Sequence, residues 1–546
     1  MMVQTEPSAK RWSSVRHGAP MRGAWTFYFV LKLLLLWRGI LDFHPALNLL
    51  LFSFLVVPVS ARVNLVRNII AVPLAAALLY YDTFLPSISR LFASAGELAN
   101  FSLPYLAELV QRFISVPILI TAFLVLFFTA LARRIIRVNA IVFVILCGLT
   151  IAGLKISWKP TADPASAAQS VAWRPSQPGG ERNDATLNKL LQDFYGSEAR
   201  RMVQFPAPAA TDVPFDLLFI HVCSLSWDDV AAVGMQEHPL WKSFDILFRR
   251  FNSVATYSGP AAVRLNRAPC GQTSESKLYA PTAEQCYLMP SLRRAGFDIN
   301  LAMNHDGHFD DFLQLVRQQG VVAEPLPLTG LPVSMKGFDG SLIHDDEAVL
   351  ARWQTVRKIS TEPRTALYYN TISLHDGNRL NTLDGASLTT RESYRFRLGK
   401  MLDEMERLMQ SLSTGNRRTV VVFIPEHGAA VRGDRLQIPG LREIPTPAIT
   451  LVPVGIKIID PAVTAEQDTA YVDTQTSFLS LSHVLSTMLK KSPFSGKTFD
   501  PAPYLLGLPT TEFVAESQQV VMRVDKDYFW RESTDHWRPF STELPK

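Results

Sequence analysis

Thr419-Val-Val-Val-Phe-Ile-Pro425-Glu426-His427 sets a carboxylate and an imidazole side by side where an apolar, β-branched run stops. A short, unbroken run of this kind is the signature of a strand buried on both faces. Glu and His are both metal-ligand types, so the end of this strand is a candidate metal site. Adjacent strand residues ordinarily point to opposite faces. Pro425 is therefore expected to end the ladder and let both side chains turn toward one ion.

Comparable runs occur at 215–223, 252–256, 297–303, 366–374 and 448–454, most of them separated by amphipathic stretches such as 391–412. Such alternation predicts an α/β domain whose mostly parallel sheet is sandwiched by helices. Ligands in such sheets bind beyond the carboxyl ends of the strands. Cys223, His375, Glu426 and His427 all fall there, from three separate strands. After the run ending at Thr256 comes Tyr257-Ser258-Gly259-Pro260, in which Pro260 suits the first helical position and Gly259 or Ser258 the cap. Ser258 at a helix N-terminus would stabilise a phosphate among free amides, or serve only as a cap.

Ahead of this domain, five apolar stretches at 24–37, 44–60, 65–81, 114–132 and 138–156 read as membrane spans, the second and third being short and containing Pro58 and Pro73. Lys10, Arg11, Arg16 and Arg22 precede the first, Arg62 and Arg67 follow the second, and Arg133, Arg134 and Arg137 follow the fourth, whereas the loop 82–113 carries little net charge. The positive-inside rule then puts the N-terminus in the cytoplasm and everything after about residue 157 outside. A hydrophobic content of 48% over 546 residues agrees with a membrane part followed by a globular one. The net charge of +5 is small and gives no case for nucleic-acid binding. The expected organisation is a membrane domain over 1–157, a linker and amphipathic helix over 158–205, and an exported domain over 206–546. Residues 158–184, with Lys159-Pro-Thr-Ala-Asp-Pro-Ala-Ser-Ala-Ala, read as a flexible tether. Leu187, Leu190, Leu191 and Phe194 give the helix of 185–204 an apolar face suited to packing on that domain, and Pro206 ends it.

Of the four cysteines, Cys147 falls within a span, and Cys270 and Cys286 flank a polar segment in the exported region, where a disulfide between them would persist. Cys223 is left over. It is either an inert thiol at a strand end or a metal-bound thiolate. Asn304-His-Asp-Gly-His308 reads as a polar loop rather than a second metal site, His344-Asp-Asp346 as a solvated turn, and Trp227 as packing.

The order Cys223, Tyr257-Ser258-Gly259-Pro260, His375-Asp376-Gly377, Glu426-His427-Gly428 resembles the alkaline phosphatase and sulfatase superfamily. Most members use a carboxylate as first ligand and often a threonine nucleophile. The segment His221-Val-Cys-Ser-Leu-Ser-Trp227, the serine, and Arg267-Ala-Pro-Cys-Gly-Gln272 instead resemble the cellulose phosphoethanolamine transferases of bacterial cellulose secretion systems, across nearly the whole chain. The resemblance implies an alkaline-phosphatase-like domain that uses zinc, held by Cys223, Glu426 and His427 with Ser258 or phosphate in the fourth position; that donor set favours zinc over magnesium. It implies phosphatidylethanolamine as donor, Ser258 as nucleophile, cellulose as acceptor, an inner-membrane location with the catalytic domain in the periplasm, and cellulose synthase subunits as partners. His375 is the candidate acid and base, Arg442 a candidate phosphate clamp or a surface ion pair with an acid such as Glu443, and Tyr257 a hydrogen-bond donor to phosphate or a packing group. The alternatives are another envelope acceptor, as for lipid A or phosphoglycerol transfer, and a non-catalytic scaffold. The Cys-x-Pro-x-Arg signature of a sulfatase is absent around 223, 258 and 270.

Overall fold

The computed structural model describes residues 23–37, 41, 43–83, 116–157, 182–207, 212–381, 388–434, 436–460, 468–496, 498–531 and 536–540. They fall into two compact units, the N-terminal helices and the domain from residue 182 on. The basic residues before position 23, most of the loop 82–113 and most of the tether 158–184 lie outside the described residues.

Each expected span corresponds to a helix: α1 (Gly23–Trp37), α2 (Pro45–Val56), α3 (Ala61–Tyr81), α4 (Val116–Ile135) and α5 (Val138–Ser157). Length separates them. Among the described residues only Arg62–Tyr81 is long and apolar enough to cross a membrane by itself, while α4 and α5 meet at 107° and add one more span if the bent pair is counted as one. The helices α1 and α2 have 15 and 12 residues, against the roughly 20 needed for a bilayer. All five expected helices are present, and among the described residues one or two full spans are supported by length and composition. Pro58 explains the shortest helix, because Val57 before it is driven to extended geometry, with φ −54° and ψ 124°. A buried polar knot ties the unit together: Lys32 Nζ lies 2.5 Å from Asp82 Oδ2 and donates to Asn48 Oδ1 at 2.8 Å. In apolar surroundings such charges persist only when paired.

The second unit is an α/β domain. Its seven-stranded sheet contains β1 (Asp216–Cys223), β2 (Ile246–Asn252), β3 (Asp298–Met303), β6 (Thr365–Thr371), β8 (Thr419–His427), β9 (Leu451–Ile459) and β10 (Ala470–Val472), in the order β10-β2-β9-β8-β1-β6-β3. All pairs are parallel except those of β9, which runs antiparallel to both β8 and β2. Successive residues of β1 alternate between two cores, as a two-residue period requires. Leu217 and Phe219 join a core with α13 (Phe478–Lys490), whereas Leu218, Ile220 and Val222 join one with α12 (Thr390–Ser413). Thr389 and Glu392 form a capping box at the start of α12.

Three strand boundaries differ from those expected. The run at 252–256 is preceded by β2 itself, which the pair Arg249-Arg250 disguises; a register shift between Phe248 and Phe251 accommodates the two arginines. The run at 448–454 opens with a helical turn, Pro447–Thr450, and β6 stops at Thr371 rather than 374. Two small antiparallel sheets were not expected: β5-β4-β7, from β4 (Val333–Lys336), β5 (Leu342–His344) and β7 (Arg379–Leu380), and the sheet of β11 (Val514–Ser517), β12 (Gln519–Val524), β13 (Asp527–Arg531) and β14 (Trp537–Phe540). The amphipathic helix is shorter than anticipated. It is α6, Asp184–Glu198, capped by Asn183, and its Leu187, Leu191 and Phe194 pack on Val514, Val520, Met522, Phe529 and Trp537 of the C-terminal sheet.

At the start of β1, the buried Asp216 carboxylate accepts from Arg357 Nε at 2.9 Å and Nη2 at 2.8 Å, and from Thr365 N at 2.9 Å. Arg357 belongs to α11 (Asp346–Ile359), so the pair pins a covering helix to the central strand. Removing one partner strands a buried charge. Arg357→Met is expected to lower the unfolding free energy by about 3–5 kcal/mol in denaturant titrations, and adding Asp216→Asn should restore part of it.

Candidate metal and phosphoryl site

The candidate ligands meet because of a bulge. Strand β8 continues through Pro425 to His427, contrary to the expectation that Pro425 ends it. Along β1, Val222 pairs with Pro425 and Cys223 with His427, leaving Glu426 as the extra residue. This brings the Glu426 and His427 side chains to one ion-sized space. Pro425 is tolerated because pairing with β9 ends at Phe423. Gly428 follows, where a Cβ would lie 2.6 Å from Ser226 Oγ. The backbone beyond is held by buried Asp229, which accepts from Ala429 N at 2.7 Å and Val431 N at 3.0 Å.

One donor atom from each of Cys223, Glu426 and His427 lies within 4.8 Å of the others, and all three residues are buried. His427 Nδ1 is 2.9 Å from the carbonyl of Gly428, which puts the ring proton there and leaves the Nε2 lone pair facing Cys223 Sγ at 4.0 Å and Glu426 Oε2 at 3.8 Å. Glu426 Oε1 accepts from Asn370 Nδ2 at 2.6 Å, whereas Oε2 is buried without a hydrogen-bond partner. Burial and the nearby Glu426 push the Cys223 thiol up to about 12, burial raises Glu426, and burial together with Arg442 holds His427 well below its usual value. Each group thus resists charge on its own. A soft dication reverses that balance by pairing with thiolate and carboxylate at once.

Ser258 stands beside this set. It is the first residue of the helix Ser258–Asn266, with Tyr257 as the cap; Pro260 occupies the third helical position rather than the first, where its missing N–H again costs nothing. Ser258 Oγ donates to Cys223 Sγ at 3.3 Å. Arg442 is buried, with Nη1 3.3 Å from Ser224 Oγ and the guanidinium 5.4 Å from the centre of the Tyr257 ring, which excludes a surface ion pair. Glu443 instead accepts from Tyr257 Oη at 2.5 Å. His375 stacks on Phe338 at 4.7 Å, and its Nδ1 donates to the carbonyl of Asp376 at 2.7 Å. Burial, then the charge of Arg442, lowers it to about 4.

Tyr257, Ser258, His375, His427 and Arg442 all line one cavity. Cys223 and Glu426 lie behind its wall, bonded to Ser258 and Asn370. His305, Asp306 and His308, which the sequence reading assigned to a polar loop outside the site, line the same cavity. Their position at the carboxyl end of β3, beside the ends of β6 and β1, was the available signal. Asp346 is not in a solvated turn: it is buried and accepts from Tyr369 Oη and Ser373 Oγ, both at 2.5 Å. Trp227 packs against Trp241, as expected of it. Cys270 and Cys286 form a disulfide, and Cys223 is free.

The chain matches the family models for the cellulose biosynthesis protein BcsG, the C-terminal domain over residues 173–537 and the N-terminal domain over 25–151. It belongs to the BcsG family. It is 39% identical over 541 residues to the cellulose biosynthesis protein BcsG of Escherichia coli (strain K12), covering 94% of this chain and 96% of that one. The BcsG protein of Salmonella typhimurium is 37% identical over 539 residues, with coverage of 94% and 96%. Among solved structures, the C-terminal periplasmic domain of EcEptC from Escherichia coli is similar at a TM-score of 0.44 and 14% identity, over 60% of this chain and 97% of that one.

The lowered His375 has a direct signature. Its imidazole is expected to stay neutral from pH 8 down to pH 5 and to titrate near pH 4 in histidine NMR spectra. Arg442→Gln removes a neighbouring cation and should move that midpoint upward, toward the ordinary value of about 6.5.

Proposed function

We propose that this protein is a zinc-dependent transferase that moves phosphoethanolamine from phosphatidylethanolamine to glucosyl hydroxyls of cellulose. One observation carries the reading: in a chain of the BcsG family, a helix-N-terminal serine hydroxyl lies 3.3 Å from the thiol of a buried Cys, Glu and His set. Sulfur, imidazole nitrogen and carboxylate oxygen suit zinc, and the unpartnered Glu426 Oε2 is the lone pair such an ion would take. Cys223, Glu426 and His427 would hold it, with Ser258 or the phosphate completing the set. When bound, it supplies the Lewis acidity that lowers the pKa of the serine hydroxyl.

Ser258 then attacks the phosphorus of the lipid, the bond to diacylglycerol breaks, and the phosphoethanolamine group is left on the serine oxygen. Arg442 binds the anionic phosphoryl oxygens through its planar guanidinium, and Tyr257 shapes the same wall. His375 protonates the departing glycerol oxygen. In the second displacement the neutral imidazole takes the proton of the sugar hydroxyl as the bond from phosphorus to the Ser258 oxygen breaks, which restores both groups. Bound phosphate offsets the charge of Arg442, which favours transient protonation of His375. A membrane anchor over residues 1–157, with the N-terminus cytoplasmic and the catalytic domain on the periplasmic side of the inner membrane, keeps the active site near its lipid donor and raises the effective concentration of that donor. Subunits of the cellulose synthase complex are the partners this placement offers.

Incubating the full chain with zinc in phosphatidylethanolamine vesicles and mapping peptides by mass spectrometry is expected to find phosphoethanolamine on Ser258, and none in Ser258→Ala. Cys223→Ala should lose both the adduct and the zinc-dependent rise in Tm; for wild type that rise corresponds to about 2.7 kcal/mol at a zinc concentration one hundred times the Kd. An unmodified Ser258 in folded, zinc-loaded protein would overturn the donor assignment.

A further inference from the structure

We propose that His305 and Asn370 are positioning residues that fix the Glu426 carboxylate for the metal, through a hydrogen-bond relay starting in the cavity loop Asn304–His308. The proposal rests on the metal reading above. Every link has a determined direction. The backbone N–H of Gly307 can only donate, and it lies 3.1 Å from His305 Nδ1, so that nitrogen accepts. The ring proton must then be on Nε2, 2.8 Å from Asn370 Oδ1. The Asn370 amide is oriented as a result, with Nδ2 toward Glu426 Oε1 at 2.6 Å and toward the carbonyl of His221 at 3.3 Å. With Oε1 engaged, Oε2 is the free oxygen and faces His427 Nε2.

The relay is buried, His305 being 7% exposed and Asn370 1% exposed, so its hydrogen bonds are stronger than they would be at the surface. It also spans elements. Asn370 is on β6, Glu426 on β8, and His305 on the loop after β3, a segment whose Gly307 holds φ +72° and would put a Cβ 2.9 Å from Leu313 Cβ. A carboxylate held from behind in this way presents one oxygen in one direction, and outer partners of metal ligands typically change affinity by 10–100-fold when removed. The role is one of orientation, since neither residue is a proposed ligand.

The test is competitive chelator titration of zinc on the full-length protein in detergent, with near-ultraviolet circular dichroism to follow the fold. Asn370→Ala is expected to weaken zinc binding 10–100-fold, and His305→Ala to weaken it in the same direction. His305→Gln, whose amide N–H can still donate to Asn370 Oδ1, should recover most of the wild-type affinity. Because His305 acts through Asn370, adding His305→Ala to Asn370→Ala should change the Kd no further. Wild type that binds zinc together with folded Asn370→Ala and His305→Ala variants of unchanged Kd would overturn the relay alone. Wild type that binds no zinc would overturn the metal reading and the relay with it. Should Asn370→Ala lose its fold, the His305 pair decides: equal affinities for His305→Ala and wild type overturn the proposal, and a weakened Ala with a restored Gln upholds it.

Discussion

One extra residue in one strand governs the site. A regular β8 would send Glu426 and His427 to opposite faces, and at most one of them could share an ion with Cys223. The bulge against β1 removes that conflict, and it can form there because β9 has already stopped pairing at Phe423. The proline, the bulge and the strand end no longer paired with β9 are therefore one device. It works only while the preceding residues stay in register, which the two cores and the Asp216–Arg357 pair at the opposite end of β1 enforce.

The electrostatics follow from the burial. Thiol, carboxylate and imidazole within 4.8 Å of one another and out of water are costly to ionise, and the structure places Arg442 among them rather than a second carboxylate. Arg442 also lowers His375, so one guanidinium acts on both the ligand set and the candidate base. Aromatic faces complete the cavity: Phe338 against His375, and Tyr257 beneath Arg442. These contacts restrict the rotamers of long side chains that would otherwise lose entropy on engaging a phosphate.

Much of this was legible in the sequence. Unbroken apolar runs located β1, β3, β6 and β8, and the rule that ligands gather at strand ends brought Cys223, His375, Glu426 and His427 together before any coordinates. Three kinds of information were not local. The bulge depends on where a neighbouring strand stops, so Pro425 was assigned the wrong part in an otherwise sound inference. The strand β2 carries two arginines that break its apolar pattern, and the C-terminal sheet is built of short, half-polar strands whose partners are each other. His305 was assigned to a polar loop and Asn370 passed over because polar residues at strand ends are common, and only their mutual hydrogen bond distinguishes them. In the N-terminal helical unit, hydropathy located the helices, but proline and chain bends set their lengths.

The single disulfide has a consequence for how the domain is made. Cys270 and Cys286 are 16 residues apart and pair locally, while Cys223 comes earlier in the chain and is the first of the three to be synthesised. An oxidant therefore meets three thiols, and two of the three possible bridges would consume Cys223, the thiol of the candidate metal set. Sequence order gives no protection. Insertion of β1 between β8 and β6 does, since it leaves Cys223 with no exposed surface.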